Sequence, residues 1–87
     1  MKAGSFVECI DDKFSSEQLQ QLSKIPKEGN YYTIREIIDY PNLGRTGVRL
    51  EEISNPLIEM NGGMGEPTFN IFRFRELEIP PPMELEI

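Results

Sequence analysis

Apolar and polar positions along this chain change period several times, and the changes mark its elements. Phe6-Val7-Glu8-Cys9-Ile10 reads as a first strand, rich in β-branched and aromatic residues and closed by the turn pair Asp11-Asp12. Phe14-Ser15-Ser16-Glu17-Gln18-Leu19 then carries a helix start. Ser15 is placed to accept from the Gln18 amide while Gln18 reaches back to Ser15, and Phe14 and Leu19 occupy the staple positions. Leu19 and Leu22 share a face at helical spacing, and Pro26 stops the helix by about Ile25. The prediction is a helix from Ser16 to about Ser23, leaning on the core through Leu19, Leu22 and Ile25.

Lys27-Glu28-Gly29-Asn30 is a turn, and residues 31–38 form the strongest strand, with Tyr32 and Ile34 alternating against Thr33 and Arg35. Strict alternation would send Glu36 inward and Ile37 outward, which predicts a bulge near Glu36 or burial on both faces. Residues 39–47 read as a loop with one Pro and two Gly, and 48–53 as the next strand, with Val48 and Leu50 inward. Its parity slips before Ile53, and Ser54-Asn55-Pro56 ends it. Residues 57–60 are expected as loop or a turn of helix, and Asn61-Gly62-Gly63-Met64-Gly65 as a flexible turn. In the final core segment, 66–77, Phe69 and Ile71 keep one parity while Phe72 and Phe74 keep the other; a single 3₁₀ turn around Asn70–Phe72 absorbs the slip. The segment 79–87 contains Pro80-Pro81-Pro82 and is expected to be an extended tail, poorly ordered alone. Residues 1–78 thus read as one small domain.

Composition narrows the function more than the fold. The chain has 87 residues, 15 Asp+Glu against 9 Lys+Arg, no His, no Trp and one Cys. Without His there is no Ser-His-Asp or Cys-His nucleophile and no imidazole metal ligand. One Cys forms no internal disulfide and no Cys-based zinc site, and Cys9 inside an apolar strand fits a reducing cytoplasm. No window approaches a membrane span, and the apolar run after Met1 is too short for a signal peptide. With no Trp, five Phe and three Tyr are expected to supply most of the bulky core volume. The net charge of −6 argues against nonspecific nucleic-acid binding. Residues 1–77, however, hold 12 acids and all nine bases, a net of only −3, so the domain itself is nearly balanced.

Few residues offer chemistry. Cys9 lacks the cation that would make it a nucleophile and reads as a core thiol. Asp11-Asp12 matches no EF-hand spacing. Glu51 and Glu52 are adjacent on a strand and face opposite ways; Glu36 and Glu52 are the pair that alternation points inward. Arg35, Arg49, Arg73 and Arg75, interleaved with aromatics on several strands, are candidate ligands for an anion or a nucleic-acid backbone, with cross-strand Arg–Glu pairing as the competing role. Gly62-Gly63-Met64-Gly65 lacks both the P-loop Lys-Ser/Thr and dinucleotide spacing. Ile79, Met83, Leu85 and Ile87 alternate with Glu84 and Glu86 in the tail, a period-2 pattern suited to adding a strand to an exposed sheet edge.

The order of strand, helical excursion, long strand, shorter strand, Gly-rich turn, strand, 3₁₀ turn and final strand resembles the Src homology 3-like small barrel. Residues 7–12, 29–37 and 48–56, with Phe69 and Arg73-Phe74-Arg75, are more narrowly similar to a group of uncharacterised bacteriophage and prophage proteins. The peptide-binding branch of that fold has a groove floored by Trp and Tyr. This chain has no Trp, so the resemblance does not imply proline-rich recognition by that route.

The expectation is therefore mainly β: a small, partly open Src homology 3-like barrel with one short α-helix inserted after the first strand. The function expected is a cytoplasmic, non-catalytic module of phage or mobile-element origin that binds another protein, without metal or cofactor and without a membrane. The alternative is a nucleic-acid-associated accessory domain using Arg35, Arg49, Arg73 and Arg75.

Overall fold

A computed structural model describes residues 1–60 and 63–78 of the chain. It is mainly β, with seven strands and one short helix. The strands are β1 (Phe6–Cys9), β2 (Tyr31–Tyr40), β3 (Arg45–Leu50), β4 (Ile58–Met60), β5 (Gly63–Gly65), β6 (Phe69–Asn70) and β7 (Phe74–Glu76); the helix α1 is Ser16–Gln21. Five strands form one antiparallel sheet in the order β6-β3-β2-β1-β7. β4 and β5 pair as a separate hairpin.

β2 is long because it serves two neighbours. Tyr31–Thr33 pair with β1, and Ile34–Tyr40 pair with β3. Between Ile34 and Glu36 the register slips by a residue, the bulge that the parity conflict predicted. Past it, Glu36 stands opposite Arg49 in solvent and Ile37 opposite Val48 against the core. The sheet's two edge strands, β6 and β7, are joined by only a 3₁₀ turn, Ile71–Arg73. Edges that close in sequence force the sheet to curl, and because β6 and β7 do not pair, the resulting barrel is open along that seam.

Inside it lie Val7, Cys9, Tyr32, Ile34, Val48, Leu50, Ile53, Phe69 and Phe74. Four aromatic rings meet edge-on in series: Phe14–Phe69 at 6.0 Å, Phe69–Phe74 at 6.5 Å and Tyr32–Phe74 at 6.5 Å between centroids. Edge-to-face rings gain from their quadrupoles as well as from burial. Of the aromatics, Tyr32, Phe69 and Phe74 are buried in this core beside Ile34 and Leu50, while Phe72 on the 3₁₀ turn is 83% exposed and Tyr31 is exposed.

The helix departs from expectation in length and in its contacts. Ser15 caps it as predicted, accepting from the Gln18 amide at 3.1 Å while Gln18 Oε1 accepts from the Ser15 amide at 2.8 Å. It ends at Gln21, however, because Asn55 Oδ1 takes the amides of Ser23 and Lys24 at 2.9 and 2.8 Å. Those donors are thereby held in an extended segment. Leu19 is exposed instead of stapled, and Leu22 and Phe14 carry the contact with the core.

Three other segments differ. Residues 39–47, expected as a loop, continue β2 and open β3, leaving only Pro41–Leu43 as a 3₁₀ turn with Gly44 left-handed at φ 61°. β3 ends at Leu50, and Ile53 reaches the core from the following loop. Ile58–Met60, expected as loop or helix, and Gly63–Gly65, expected as part of a flexible turn, are paired strands. The 3₁₀ turn before β7 is present, one residue later than predicted.

Candidate functional site

A groove of about 490 Å³ opens between α1, the β2–β3 connection and the stretch from Pro67 to Arg73. The local sequence explains its walls. The capping box fixes where α1 begins, and Phe14 just before it lies beneath the Arg73 guanidinium, whose Cζ is 3.9 Å from the ring centroid. Arg73 also donates to the Lys13 carbonyl at 3.1 Å and pairs with Asp11 at 3.3 Å, which ties the 11–14 segment to the edge of β7. Opposite stands Leu43, 62% exposed on the 3₁₀ turn that Pro41 begins. Tyr40 and Arg45 line the floor as cross-strand partners.

Gly47 makes the floor possible. A Cβ there would stand 2.3 Å from Thr68 Oγ1 and 2.7 Å from Thr68 Cβ, so only glycine lets Thr68, just before β6, lie so close to β3. The groove is lined by apolar side chains, Phe14, Leu22, Leu43, Pro67 and Phe69 among them, interleaved with the polar Gln18, Gln21, Thr46, Thr68 and Asn70. Arg45 and Arg73 are the only charged side chains lining it among the described residues.

The four arginines singled out from the sequence do not share one ligand. Arg35 Nη2 reaches both Glu66 oxygens at 2.8 Å and its Nε donates to the Leu50 carbonyl at 3.1 Å. Arg49 Nη1 donates to Glu36 Oε1 at 2.7 Å and Nη2 to the Glu66 carbonyl at 2.7 Å. Arg75 pairs with Glu8, its cross-strand neighbour. Arg73 alone of the four lines the groove. Every one is thus held by a carboxylate. Arg45, which sequence reasoning passed over, has no ion pair among the described residues and does line the groove. Its only sequence signal was its place at the end of a loop.

A second node also escaped the sequence reading, where Asn55 appeared only as a strand breaker. Asn55 is buried, with its amide oxygen on Ser23 and Lys24, its Nδ2 on the Lys24 carbonyl at 3.0 Å and its backbone amide on Glu66 at 3.1 Å. Glu66 is the other half of this node. Burial alone would push its carboxyl upward in pKa; the Arg35 hydrogen bond, the Asn55 amide and the charges of Arg35 and Arg49 outweigh that and hold it below the usual carboxylate range. Asn55 and Glu66 together fasten the end of the helical excursion to the loop after β3, and so set the position of one groove wall.

The remaining candidates have structural partners. Glu36 is exposed on Arg49, and Glu52 is exposed with both oxygens on the Thr33 amide, at 2.8 and 3.0 Å. Neither turns inward. Arg73 is engaged by Asp11, not by either of them. Cys9 is buried, and that burial raises its thiol pKa, the opposite of what activates a nucleophile. Asp11 accepts the Lys13 amide at 2.9 Å and Asp12 the Glu28 amide at 3.1 Å. Among the described residues no group of three or more metal-ligating side chains comes together, and no helix is long and apolar enough to cross a membrane. Ile79, Met83, Leu85 and Ile87 lie outside the described residues.

No protein-family model matches the chain, and no curated protein or solved structure matches it. The groove is thus the feature from which function must be argued.

Proposed function

We propose that this protein is a non-catalytic interaction module whose groove between α1, the β2–β3 connection and residues 67–73 holds an extended segment of a protein partner. The observation that carries the reading is a concave surface that mixes apolar side chains with amides, hydroxyls and two arginines, walled on one side by a leucine that is 62% exposed. Leu43 at that exposure contributes little to the fold, whereas an occupant would bury it. Concave apolar sites with a few placed polar groups are where ligands bind.

The strand order β6-β3-β2-β1-β7, with one long strand shared by two neighbours and a 3₁₀ turn before the last strand, supports a Src homology 3-like barrel. The proposed origin in a phage or other mobile element rests on the resemblance of residues 7–12, 29–37 and 48–56 alone. A cytoplasmic setting agrees with a buried, unpaired Cys9.

The test is selection of binders from a random peptide library, followed by amide chemical-shift mapping. Selected peptides should shift signals of Gln18, Leu22, Leu43, Thr46 and Asn70, and Leu43→Asp should abolish their binding with the fold intact. Binders that shift only residues elsewhere on the barrel would overturn the groove as the site.

A further inference from the structure

We infer that the groove takes a segment of another protein that adds a strand to the free end of β3 and carries an acid between two apolar residues. The inference rests on the reading of the groove as a peptide site and names the partner's chemistry.

The backbone sets the mode of binding. β3 pairs with β6 at Gly47 and Val48 only, and after Asn70 the chain turns away into the 3₁₀ turn Ile71–Arg73. Among the described residues, Arg45 and Thr46 therefore pair with β2 on one side and with no strand on the other, and both line the groove. Main-chain donors and acceptors along such an edge are a template for an extended chain. Across the groove, α1 presents the side-chain amides of Gln18 and Gln21. Oε1 of Gln18 accepts from the Ser15 amide, which leaves its Nε2 to donate. An extended peptide has polar main-chain groups along both edges, so one edge meets β3 and the other meets the glutamines.

The side chains set the sequence that fits. Arg45 stands opposite Tyr40 on one face of the sheet, and Thr46 opposite Asp39 on the other. The Thr46 face is the one that Val48 turns to the core beside Phe69, and Phe14 packs on Phe69 with ring centroids 6.0 Å apart. An added strand sends successive side chains to these two faces in turn. On the Thr46 face an acid would meet the Asp39 carboxylate, whose Oδ1 accepts from Thr46 Oγ1 at 2.9 Å, and apolar side chains meet Phe14 and Phe69. On the Arg45 face an acid meets a guanidinium that has no ion pair among the described residues. The acid therefore faces Arg45, and its two neighbours are apolar. The wider charge pattern agrees: in a chain at −6, the only charged side chains lining this groove among the described residues are arginines.

The probe is the peptide acetyl-Thr-Val-Glu-Val-Thr-amide, titrated into the full chain and followed by chemical shifts. It should shift the main-chain amides of Arg45, Thr46 and Asn70 and the side-chain amides of Gln18 and Gln21. Changing its acid to the neutral amide should weaken binding about tenfold, the effect of one lost charge contact, and changing it to lysine should weaken binding further. Arg45→Glu should reverse that order, so that the lysine peptide binds the variant best. Arg45 is exposed, and unchanged β1 amides would confirm that the variant keeps its fold. Should the variant not fold, the three peptides on the unaltered chain decide: equal affinity for all of them overturns the inference. N-methylating the three central residues of the peptide removes their main-chain donors and should abolish binding; undiminished binding overturns strand addition. Sedimentation of the chain alone should give a monomer, and a dimer that Arg45→Glu dissolves would put a second copy in the groove in place of another protein. If library-selected peptides shift the groove amides without this charge preference, the site reading survives and the inference fails; if none shifts them, both fall.

Discussion

Glu66 is charged, 15% exposed, and bound by Arg35 and by the backbone amide of the buried Asn55. Its carboxyl titrates lower in the folded chain than in the unfolded one. The stability it contributes is therefore complete above the unfolded carboxylate value, about 4.3, and is lost as pH falls through the folded value. Glu66→Gln should cost about 1–3 kcal/mol at neutral pH, because it weakens charge-assisted bonds and leaves Arg35 and Arg49 short of a partner. Urea unfolding of both proteins across pH should show that gap close below about pH 4. A gap independent of pH would mean the carboxylate charge is not what holds the node. Gly47 makes the same point about single residues: its lack of a side chain is required by Thr68, a neighbour 21 positions away.

At the scale of elements, α1 has six residues and no buried side chain, so its cap matters more than its packing. A helix this short is marginal without tertiary support. Ser15→Ala removes the acceptor of the Gln18 amide and should cost about 0.5–2 kcal/mol of local stability. Hydrogen exchange should report this as faster exchange at Leu19, whose amide bonds the Ser15 carbonyl, with β1 and β2 amides unchanged. Equal acceleration of the sheet would show that the helix and barrel open together. The cap was legible in the sequence because it is a contact between residues three apart. The helix end was not, because Asn55, 32 positions beyond Ser23, decides it. The β2 bulge was legible for a similar reason to the cap: burial of Ile37 and exposure of Glu36 conflict within one strand. The β4–β5 hairpin was not legible, since three-residue strands carry too little periodicity to separate from a loop.

At the scale of the molecule, the ion pairs of the arginines bear on the nucleic-acid reading. Arg35, Arg49, Arg73 and Arg75 each neutralise an acid of the barrel, and the chain as a whole is at −6. A polyanion would have to displace those acids and overcome the net repulsion. Titration with a single-stranded oligonucleotide at low salt should therefore leave the signals of these four arginines unmoved. Shifts there that vanish with added salt would restore the nucleic-acid reading. The partners of these arginines could not be read from the sequence, since Glu66 lies 31 positions from Arg35 and Glu8 lies 67 from Arg75.

The sequence by itself determined what depends on neighbours in the chain. The strands and their parity conflicts, the capping box and the 3₁₀ turn before the last strand arise from residues within a turn or two of each other. The absence of His and the single Cys needed no structure at all. Only the tertiary structure decided which side chains meet. Curling five strands until their edges join through a three-residue turn brings Phe14, Leu43, Arg45 and Arg73 around one groove. No local pattern encodes that meeting, because those residues come from segments whose proximity exists only once the sheet has curled.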